Sequence, residues 1–277
     1  MKSLPGAGGW ARARAVRLID LPFVKVADAV ALAGHEVHVC RYREARTLLR
    51  WLGPGDLRGL RVLDVAGGDG YWAGQARKRG ARAVALDLAT SKLHYGRGLA
   101  HAPALIEGDA LQLPFADASF DRVMSICAIE HFDDGPQALS EIARVLAPGG
   151  ELVMSADTLS RKSRWPSLFE AHSQRYHVQR TYTHGQLTEL LDERGLDVEE
   201  YTYQFRSDWS ERLYLTLSAH GGKVGFNAAA PLAPLVAASD RLTHRDQGAI
   251  VLIRARRRAD RPEETAANEP ASSAAST

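Results

Sequence analysis

Short apolar runs alternate with helical stretches between residues 60 and 155 of the chain. The runs predict buried strands at Arg61–Val65, Ala83–Asp87, Ala104–Glu107, Arg122–Ile126 and Glu151–Ser155. Helices are predicted between them at Tyr71–Arg79, Ser91–Leu99 and Pro136–Leu146, the last of which is ended by Ala147–Gly150. Apolar strands that alternate with helices are typical of a parallel sheet covered on both faces. The pattern therefore predicts an α/β core.

The segments on either side of this core have a different character. Residues 16–52 have a helical pattern, and residues 1–55 are predicted to form an N-terminal helical cap. Residues 56–258 are predicted to form the main domain, and residues 259–277 contain no large apolar side chain. Such a segment cannot bury enough surface to offset the entropy of ordering, so a disordered tail is predicted.

Two insertions interrupt the second half of the main domain. The polar, aromatic stretch at about 160–182 is predicted to be a cap, and Thr183–Gln186 has the spacing of a capping box that begins a helix. Strands are predicted at Asp197–Phe205 and Ala249–Ile253. The segment between them, at about 206–246, is rich in Ala, Leu and Pro and predicts no clear element.

Composition excludes several classes of protein. Among the 277 residues, 25% are charged and 45% are hydrophobic, which excludes wholesale disorder. Cys40 and Cys127 are too few for a disulfide framework. The net charge of +2 does not favour nucleic acid as a partner. Because the sequence has no long apolar run and no apolar region near Met1, we expect no membrane span, no signal peptide and a cytoplasmic location.

The strongest chemical feature is the glycine-rich stretch Asp64–Gly70, which follows one predicted strand and opens a helix. Glycines at such a turn let the backbone approach a ligand closely. Gly68–Ala73 satisfies the dinucleotide fingerprint G-x-G-x-x-A, so this loop alone also allows an NAD(P)-dependent oxidoreductase. Asp87 ends the second strand, where a carboxylate can accept hydrogen bonds from ribose hydroxyls.

Three features favour a different ligand. Asp64 lies just before the glycines, where it would repel a pyrophosphate and attract an ammonium group. Gly108–Ala110 follows the third strand, and Asp109 can accept a hydrogen bond from the exocyclic amine of adenine. Leu146–Gly150 lies between the last core helix and the fifth strand.

These motifs, in this order, resemble the class I S-adenosylmethionine-dependent methyltransferases, in particular the small-molecule branch of quinone-biosynthesis and natural-product enzymes. The resemblance extends over roughly residues 42–205. It implies a Rossmann-like, seven-stranded, mostly parallel sheet with an antiparallel last strand, helices on both faces and an added helical cap. It also implies S-adenosylmethionine as the cofactor.

The resemblance assigns the cofactor-binding residues. The methionine part would be held by Asp64, Ala66, Gly67, Gly68 and Gly70. The ribose would be bound by Asp87, and the adenine would be contacted by Leu88, Asp109 and Ala110. The end of the fourth strand corresponds to Ile126 and Cys127. Tyr42 and Arg46 resemble an aromatic–Arg pair that closes over the cofactor; the alternative is a packed Tyr and a surface Arg.

The sequence departs from the family pattern at two positions. Ala66 replaces the first loop glycine, and Ile126 stands where many relatives have a polar residue. These departures leave open a rival hypothesis, a methyltransferase-fold protein that binds the cofactor but catalyses a cyclisation or is inactive.

Methyl transfer from a sulfonium is an in-line displacement that needs alignment and exclusion of water, and a base helps where the acceptor must lose a proton. His131, after the fourth strand, is the candidate base; alternatively it only shapes the loop. The predicted cap contains four further candidates that could face the acceptor or be structural: His172, Tyr176, His177 and Tyr182.

The acceptor is predicted to be a small or lipid-like molecule, with O-, N- and C-methylation all open. The apolar stretch Phe226–Val236 suggests an acceptor pocket or a partner surface, but Pro231 and Pro234 argue against a stable helix at a membrane surface. No metal site is predicted, because strand alternation would split the ligand types of His35–Cys40 between two faces.

Overall fold

The computed structural model describes residues 39–53, 55–89, 91–92, 101–243 and 246–259. Within them the strands are β1 Arg61–Val65, β2 Arg82–Asp87, β3 Ala104–Glu107, β4 Phe120–Ile126, β5 Leu146–Asp157, β6 Leu196–Gln204 and β7 Ile250–Arg257. The α-helices, numbered in the same way, are α1 Val39–Leu52, α2 Tyr71–Lys78, α3 Gly135–Val145, α4 Pro166–Tyr176, α5 His184–Asp192, α6 Asp208–Thr216, α7 Gly222–Ala228 and α8 Ala233–Leu242. Most of the predicted N-terminal cap, most of the helix at 91–99 and nearly all of the tail lie outside the described residues.

The seven strands form one sheet in the order β3-β2-β1-β4-β5-β7-β6. Strands β1 to β5 pair in parallel, and β7 runs antiparallel to both of its neighbours. This arrangement confirms the predicted Rossmann-like fold with an antiparallel last strand. The chain leaves β1 toward β2 and β3 and later returns to place β4 beside β1, so the order reverses between β1 and β4.

Successive residues of the central strands point to opposite faces of the sheet and form two cores. One core contains Val62, Met124, Val153 and Leu252, together with buried residues of α1, α2, α6, α7 and α8. The other contains Leu63, Val123, Leu152 and Val251, together with buried residues of α3 and α5. Both faces are therefore apolar, which explains why the strands appear in the sequence as nearly continuous hydrophobic runs.

The structure corrects two expectations about the second half of the chain. Strand β5 extends from Leu146 to Asp157, well beyond Glu151–Ser155, because β4 pairs with it at Leu146 and β7 pairs with it as far as Asp157. The segment at 206–246 is largely helical, and Pro231 and Pro234 lie in the first turns of short helices rather than breaking one. Tertiary packing fixes these helices, since Tyr214, Leu215, Phe226 and Val236 are buried in the first core.

The capping box is confirmed at the start of α5. The Gln186 amide donates to Thr183 Oγ1 at 3.2 Å, and the Thr183 amide donates to Gln186 Oε1 at 2.9 Å. Within the described residues, no helix combines the length and apolar character needed to cross a membrane.

Candidate cofactor site and active site

The predicted cofactor residues converge on one edge of the sheet. The loop Asp64–Gly70 follows β1, Asp87 ends β2, Asp109 follows β3 and Cys127 follows β4. Because these strands are parallel, their carboxyl ends lie side by side. Open α/β sheets bind ligands in the crevice at this edge, where the strand order reverses. Here that crevice lies between β1 and β4.

The backbone of the first loop explains its glycines. Gly68 and Gly70 have φ of 59° and 74°, a region that favours glycine. A Cβ on Gly67 would lie 2.7 Å from Cγ of Asp64, and one on Gly70 would lie 2.8 Å from Leu105 and from Pro103. The loop is therefore folded tightly over the Asp64 carboxylate.

Asp64 is almost completely buried beneath this loop. Burial raises the pKa of its carboxyl well above the usual range, and the charges of Asp87 and Asp69 raise it further, while a hydrogen bond with the Ala73 backbone opposes them. Its Oδ2 atom has no hydrogen-bond partner among the described residues. A buried carboxylate oxygen with remaining acceptor capacity suits an ammonium group.

Asp87 anchors the loop while keeping capacity for a ligand. Its Oδ2 accepts from the Gly68 amide at 2.8 Å, and its Oδ1 accepts from the Ala89 amide at 2.9 Å. Each carboxylate oxygen has a second acceptor position for a hydroxyl. The neighbouring Leu88 is 71% exposed, so an apolar side chain lies open beside the carboxylate. This combination fits a ribose and an attached flat ring.

Two further groups of residues are those assigned to the adenine, Asp109 and Ala110, and the N-terminal pair, Tyr42 and Arg46. Asp109 is exposed, and its Oδ1 accepts from the Leu111 amide at 2.8 Å, while Ala110 is buried. Arg46 lies on an exposed position of α1, and the Tyr42 side chain lies outside the described residues. The contacts of these residues with a cofactor stay predictions.

Residues 63–154 match a protein family described as a methyltransferase domain. A malonyl-[acyl-carrier protein] O-methyltransferase of Erwinia pyrifoliae is 40% identical over 111 residues, which is 40% of this chain and 42% of that protein. The ubiquinone/menaquinone biosynthesis C-methyltransferase UbiE of Paracoccus denitrificans is 43% identical over 115 residues, 39% of this chain and 45% of that protein. The chain thus matches less than half the length of these curated relatives.

A comparison with a solved structure supports the same fold. A crystal structure described as a putative methyltransferase of Bacillus halodurans superposes with a TM-score of 0.55 at 23% identity, covering 78% of this chain and 99% of that one. Residues 63–154 form a class I S-adenosylmethionine-dependent methyltransferase domain. Its glycine loop and Asp87 lie at the carboxyl ends of β1 and β2, beside the end of β4, and their contacts with a cofactor stay predictions.

The candidate base of the methyltransferase domain lies at the end of β4. His131 is partly buried and closes a 3₁₀ turn, Ile129–His131. Its neighbour Glu130 is fully buried, and Glu130 Oε1 accepts from the Asp157 amide at 3.3 Å. The Glu130 carbonyl also accepts from the Gln179 and Arg180 amides. Glu130, which the sequence analysis passed over, therefore joins β4, β5 and the end of the cap.

The structure separates the four candidate acceptor residues. His172 is buried in α4, and its ring lies 5.3 Å from that of Tyr176. His177 is exposed at the end of α4. Tyr182 is buried in the core on the other face of the sheet, against Gly135. The four side chains do not line one space, and acceptor contact stays a prediction for each.

His172 belongs to a buried polar cluster beneath the cap. Its Nε2 lies 2.9 Å from Oδ2 of Asp157, and its Nδ1 lies 2.9 Å from Oγ of Ser218. The Tyr214 hydroxyl donates to Oδ1 of Asp157 at 3.1 Å. Asp157 ends β5 and could have been found from the strand-end rule if the strand had been predicted at full length. No local sequence signal identified Tyr214 or Ser218.

One group of described residues has the side-chain types of a metal site. The Cys127 sulfur and carboxylate oxygens of Glu130 and Asp157 lie within 4.8 Å of one another, and all three residues are buried. Hydrogen bonds within the protein already position these groups: Cys127 Sγ lies 3.0 Å from Glu44 Oε1, and Asp157 contacts His172 and Tyr214. No metal is needed to explain the cluster, and the expectation of no metal stays a prediction.

Replacing Ala66 by glycine is expected to stabilise the domain by about 0.5–1 kcal/mol, because Ala66 has φ of 56° and pays for a left-handed conformation that glycine adopts freely. Urea unfolding measures this gain. Ala118, with φ of 54° outside the site, gives a matched control. Both glycine variants should gain stability, and only Ala66→Gly should change cofactor affinity. Equal stability of wild type and Ala66→Gly would contradict the left-handed strain.

Asp64→Asn is expected to flatten part of the pH dependence of stability. The raised pKa means that folded Asp64 holds its proton more tightly than unfolded Asp does, so its contribution to the free energy of unfolding is complete below the unfolded pKa of about 3.9. That contribution is lost as pH rises from there through the folded pKa. Urea titrations of wild type and Asp64→Asn across this range measure it. A difference in stability that does not vary with pH would refute the assignment.

Proposed function

We propose that this protein transfers a methyl group from S-adenosylmethionine to a small or lipid-like acceptor. The observation that carries the proposal is the buried Asp64 carboxylate, whose Oδ2 has no partner among the described residues, beneath a glycine loop that Asp87 anchors. An ammonium group would complement Asp64, and ribose hydroxyls would complement Asp87. A dinucleotide fits less well, because its pyrophosphate offers no hydrogen-bond donor to the buried Oδ2 of Asp64.

The chain's residues bind, orient and shield the reacting groups. When bound, S-adenosylmethionine supplies an electrophilic methyl group on a sulfonium. Asp64 and the glycine loop would hold the methionine part of the cofactor, and Asp87 would hold the ribose, along the edge of β1 and β2. Ile126 and Cys127, at the end of β4, would border the methyl group. Helices α4 and α6 contact Asp157 at the end of β5 and would exclude water there.

The relatives and the net charge support the proposed acceptor class. The matched relatives are named as methyltransferases of a malonyl-[acyl-carrier protein] and of ubiquinone/menaquinone biosynthesis. A net charge of +2 lends no support to nucleic acid. His131 would serve as the base where the acceptor must lose a proton.

Calorimetry on the full chain tests the cofactor, with S-adenosylhomocysteine and NADP⁺ as the two titrants. We expect saturable binding of S-adenosylhomocysteine and no binding of NADP⁺. The opposite result would favour an oxidoreductase and overturn the proposal.

A panel of phenols, quinols, acyl thioesters and amines tests the reaction, with release of S-adenosylhomocysteine as the readout. We expect release with at least one class, and His131→Ala should reduce it without altering cofactor affinity if His131 is the base. Tight cofactor binding without release from any class would favour the cyclising or inactive rival.

A further inference from the structure

The first described helix carries a carboxylate into the interior beside the cofactor edge. Glu44 lies on α1 and is 1% exposed. Its neighbours Ala45 and Leu48 are buried in the first core, so this face of α1 packs directly on the sheet. A carboxylate in such a place is costly unless polar groups receive it. Glu44 therefore has to be explained by what it contacts.

Glu44 contacts two residues at the carboxyl ends of β4 and β5. Its Oε1 accepts from the Ser155 hydroxyl and lies 3.0 Å from Sγ of Cys127. The Cys127 amide in turn donates hydrogen bonds to Ser155, to its hydroxyl oxygen at 3.0 Å and to its carbonyl oxygen at 3.1 Å. These three residues, which we call the Glu44 latch, join α1 to two strand ends.

The latch surrounds a residue with a rare backbone conformation. Cys127 has φ of 43°, a left-handed conformation that non-glycine residues seldom adopt. Such conformations persist where the surroundings impose them, and they cluster at functional sites. Cys127 is the first residue after β4, and it turns the chain into the 3₁₀ turn that contains His131. The hydrogen bonds of the latch therefore help set the path of the chain at the crevice.

We propose that Glu44 is a positioning residue that couples the docking of α1 to the shape of the β4 exit, and thereby to cofactor binding. The proposal rests on the proposed function, which puts the cofactor in this crevice. Glu44 acts through Ser155 and Cys127 and does not itself have to touch the cofactor. By thermodynamic linkage, a bound cofactor must stabilise the hydrogen bonds of the Glu44 latch by the same free energy by which these bonds stabilise cofactor binding.

Two variants of similar size isolate the acceptor oxygen. Glu44→Gln retains an oxygen that can accept hydrogen bonds from the Ser155 hydroxyl and the Cys127 thiol. Glu44→Met fills the same space without a hydrogen-bond acceptor of this kind. Both are made in a Cys40→Ser background, which leaves Cys127 as the only thiol. Thr47→Ala is the matched control on α1, because the Thr47 hydroxyl donates to the Arg43 carbonyl and accepts from the Arg50 guanidinium, both within the helix.

The measurements are S-adenosylhomocysteine affinity by calorimetry and the alkylation rate of Cys127, with and without that ligand. We expect Glu44→Met to weaken binding about tenfold and to speed alkylation about tenfold, as for the loss of a charged hydrogen bond. Glu44→Gln should recover most of both effects, and Thr47→Ala should stay near the parent. The ligand should slow alkylation in the parent.

The outcomes separate this inference from the proposed function. If the parent fails to bind S-adenosylhomocysteine, the proposed function fails. If the parent binds and Glu44→Met binds equally well, Glu44 has no positioning role. If Glu44→Met and Glu44→Gln weaken binding equally, packing rather than the acceptor oxygen is responsible and the inference is overturned. Should Glu44→Met fail to fold, Ser155→Ala removes the hydrogen bond between Ser155 and Glu44 from the β5 side, together with the bond from the Cys127 amide to the Ser155 hydroxyl, and must weaken binding and speed alkylation.

Discussion

Replacing Asp157 by alanine is expected to lower the free energy of unfolding by about 2–6 kcal/mol, because two buried hydrogen bonds are lost together. Asp157 ends β5 and is 3% exposed. Its two carboxylate oxygens lie 2.9 Å from His172 Nε2 and 3.1 Å from the Tyr214 hydroxyl. Alanine would leave both groups buried without this acceptor, and each such loss costs about 1–3 kcal/mol.

Replacing Asp157 should affect helices α4 and α6 as well as the core. His172 belongs to α4 and Tyr214 to α6, so Asp157 joins the two helices that cover the end of β5. Loss of the carboxylate should therefore loosen both helices together. Relative to wild type, amide hydrogen exchange in the variant should become faster in α4 and α6. It should change little in α3, which packs on the other face of the sheet.

Urea unfolding of Asp157→Ala, Asp157→Asn and Asp133→Ala tests the prediction. Asparagine retains one oxygen acceptor and should lose less stability than alanine. Asp133 is exposed in the loop before α3, and its replacement should change stability by no more than about 0.5 kcal/mol. A loss for Asp157→Ala as small as that for Asp133→Ala would show that the cluster does not hold the cap.

Asp87→Ala is expected to weaken binding of S-adenosylhomocysteine by about 1.5–3 kcal/mol, the range for hydrogen bonds to a charged group, which corresponds to about 10- to 150-fold. Two effects act in the same direction. The ribose hydroxyls would lose their acceptor. The Gly68 and Ala89 amides would lose the carboxylate oxygens that hold them at 2.8 and 2.9 Å.

Calorimetry with three variants separates these effects. Asp87→Asn keeps an oxygen for one backbone amide but lacks the charge, so its affinity should lie between those of wild type and Asp87→Ala. Glu189→Ala, an exposed position on α5, should bind as wild type does. An unchanged dissociation constant for Asp87→Ala would show that this carboxylate does not bind the ribose.

The core of the fold was predictable because its signals are local. Strand β1 matches the prediction at both ends, and β3 does so too, because each is a short apolar run bounded by turn residues. The loop after β1 was equally readable, since its glycines are required by close contacts within a few residues and at the adjoining strands. The placement of Asp64, Asp87 and Cys127 at one edge then follows from parallel pairing alone.

The acceptor side was not predictable in the same way. Tyr176 and Tyr182 are six positions apart in the sequence and yet lie on different faces of the sheet, so composition of the cap gave no guide to which residues share a space. The helices at 208–242 are short and weakly patterned, and their packing on the first core fixes them.

The sequence by itself determined the parallel core of the sheet and the glycine loop with its two carboxylates. Hydrophobic period and turn chemistry act over a few residues and are therefore visible in one chain. The tertiary structure alone decided the partners of buried polar groups. Glu44 meets Ser155 across 111 positions, and Asp157 meets Tyr214 across 57. A buried polar side chain must find a partner wherever the fold supplies one, and no local pattern records that distance.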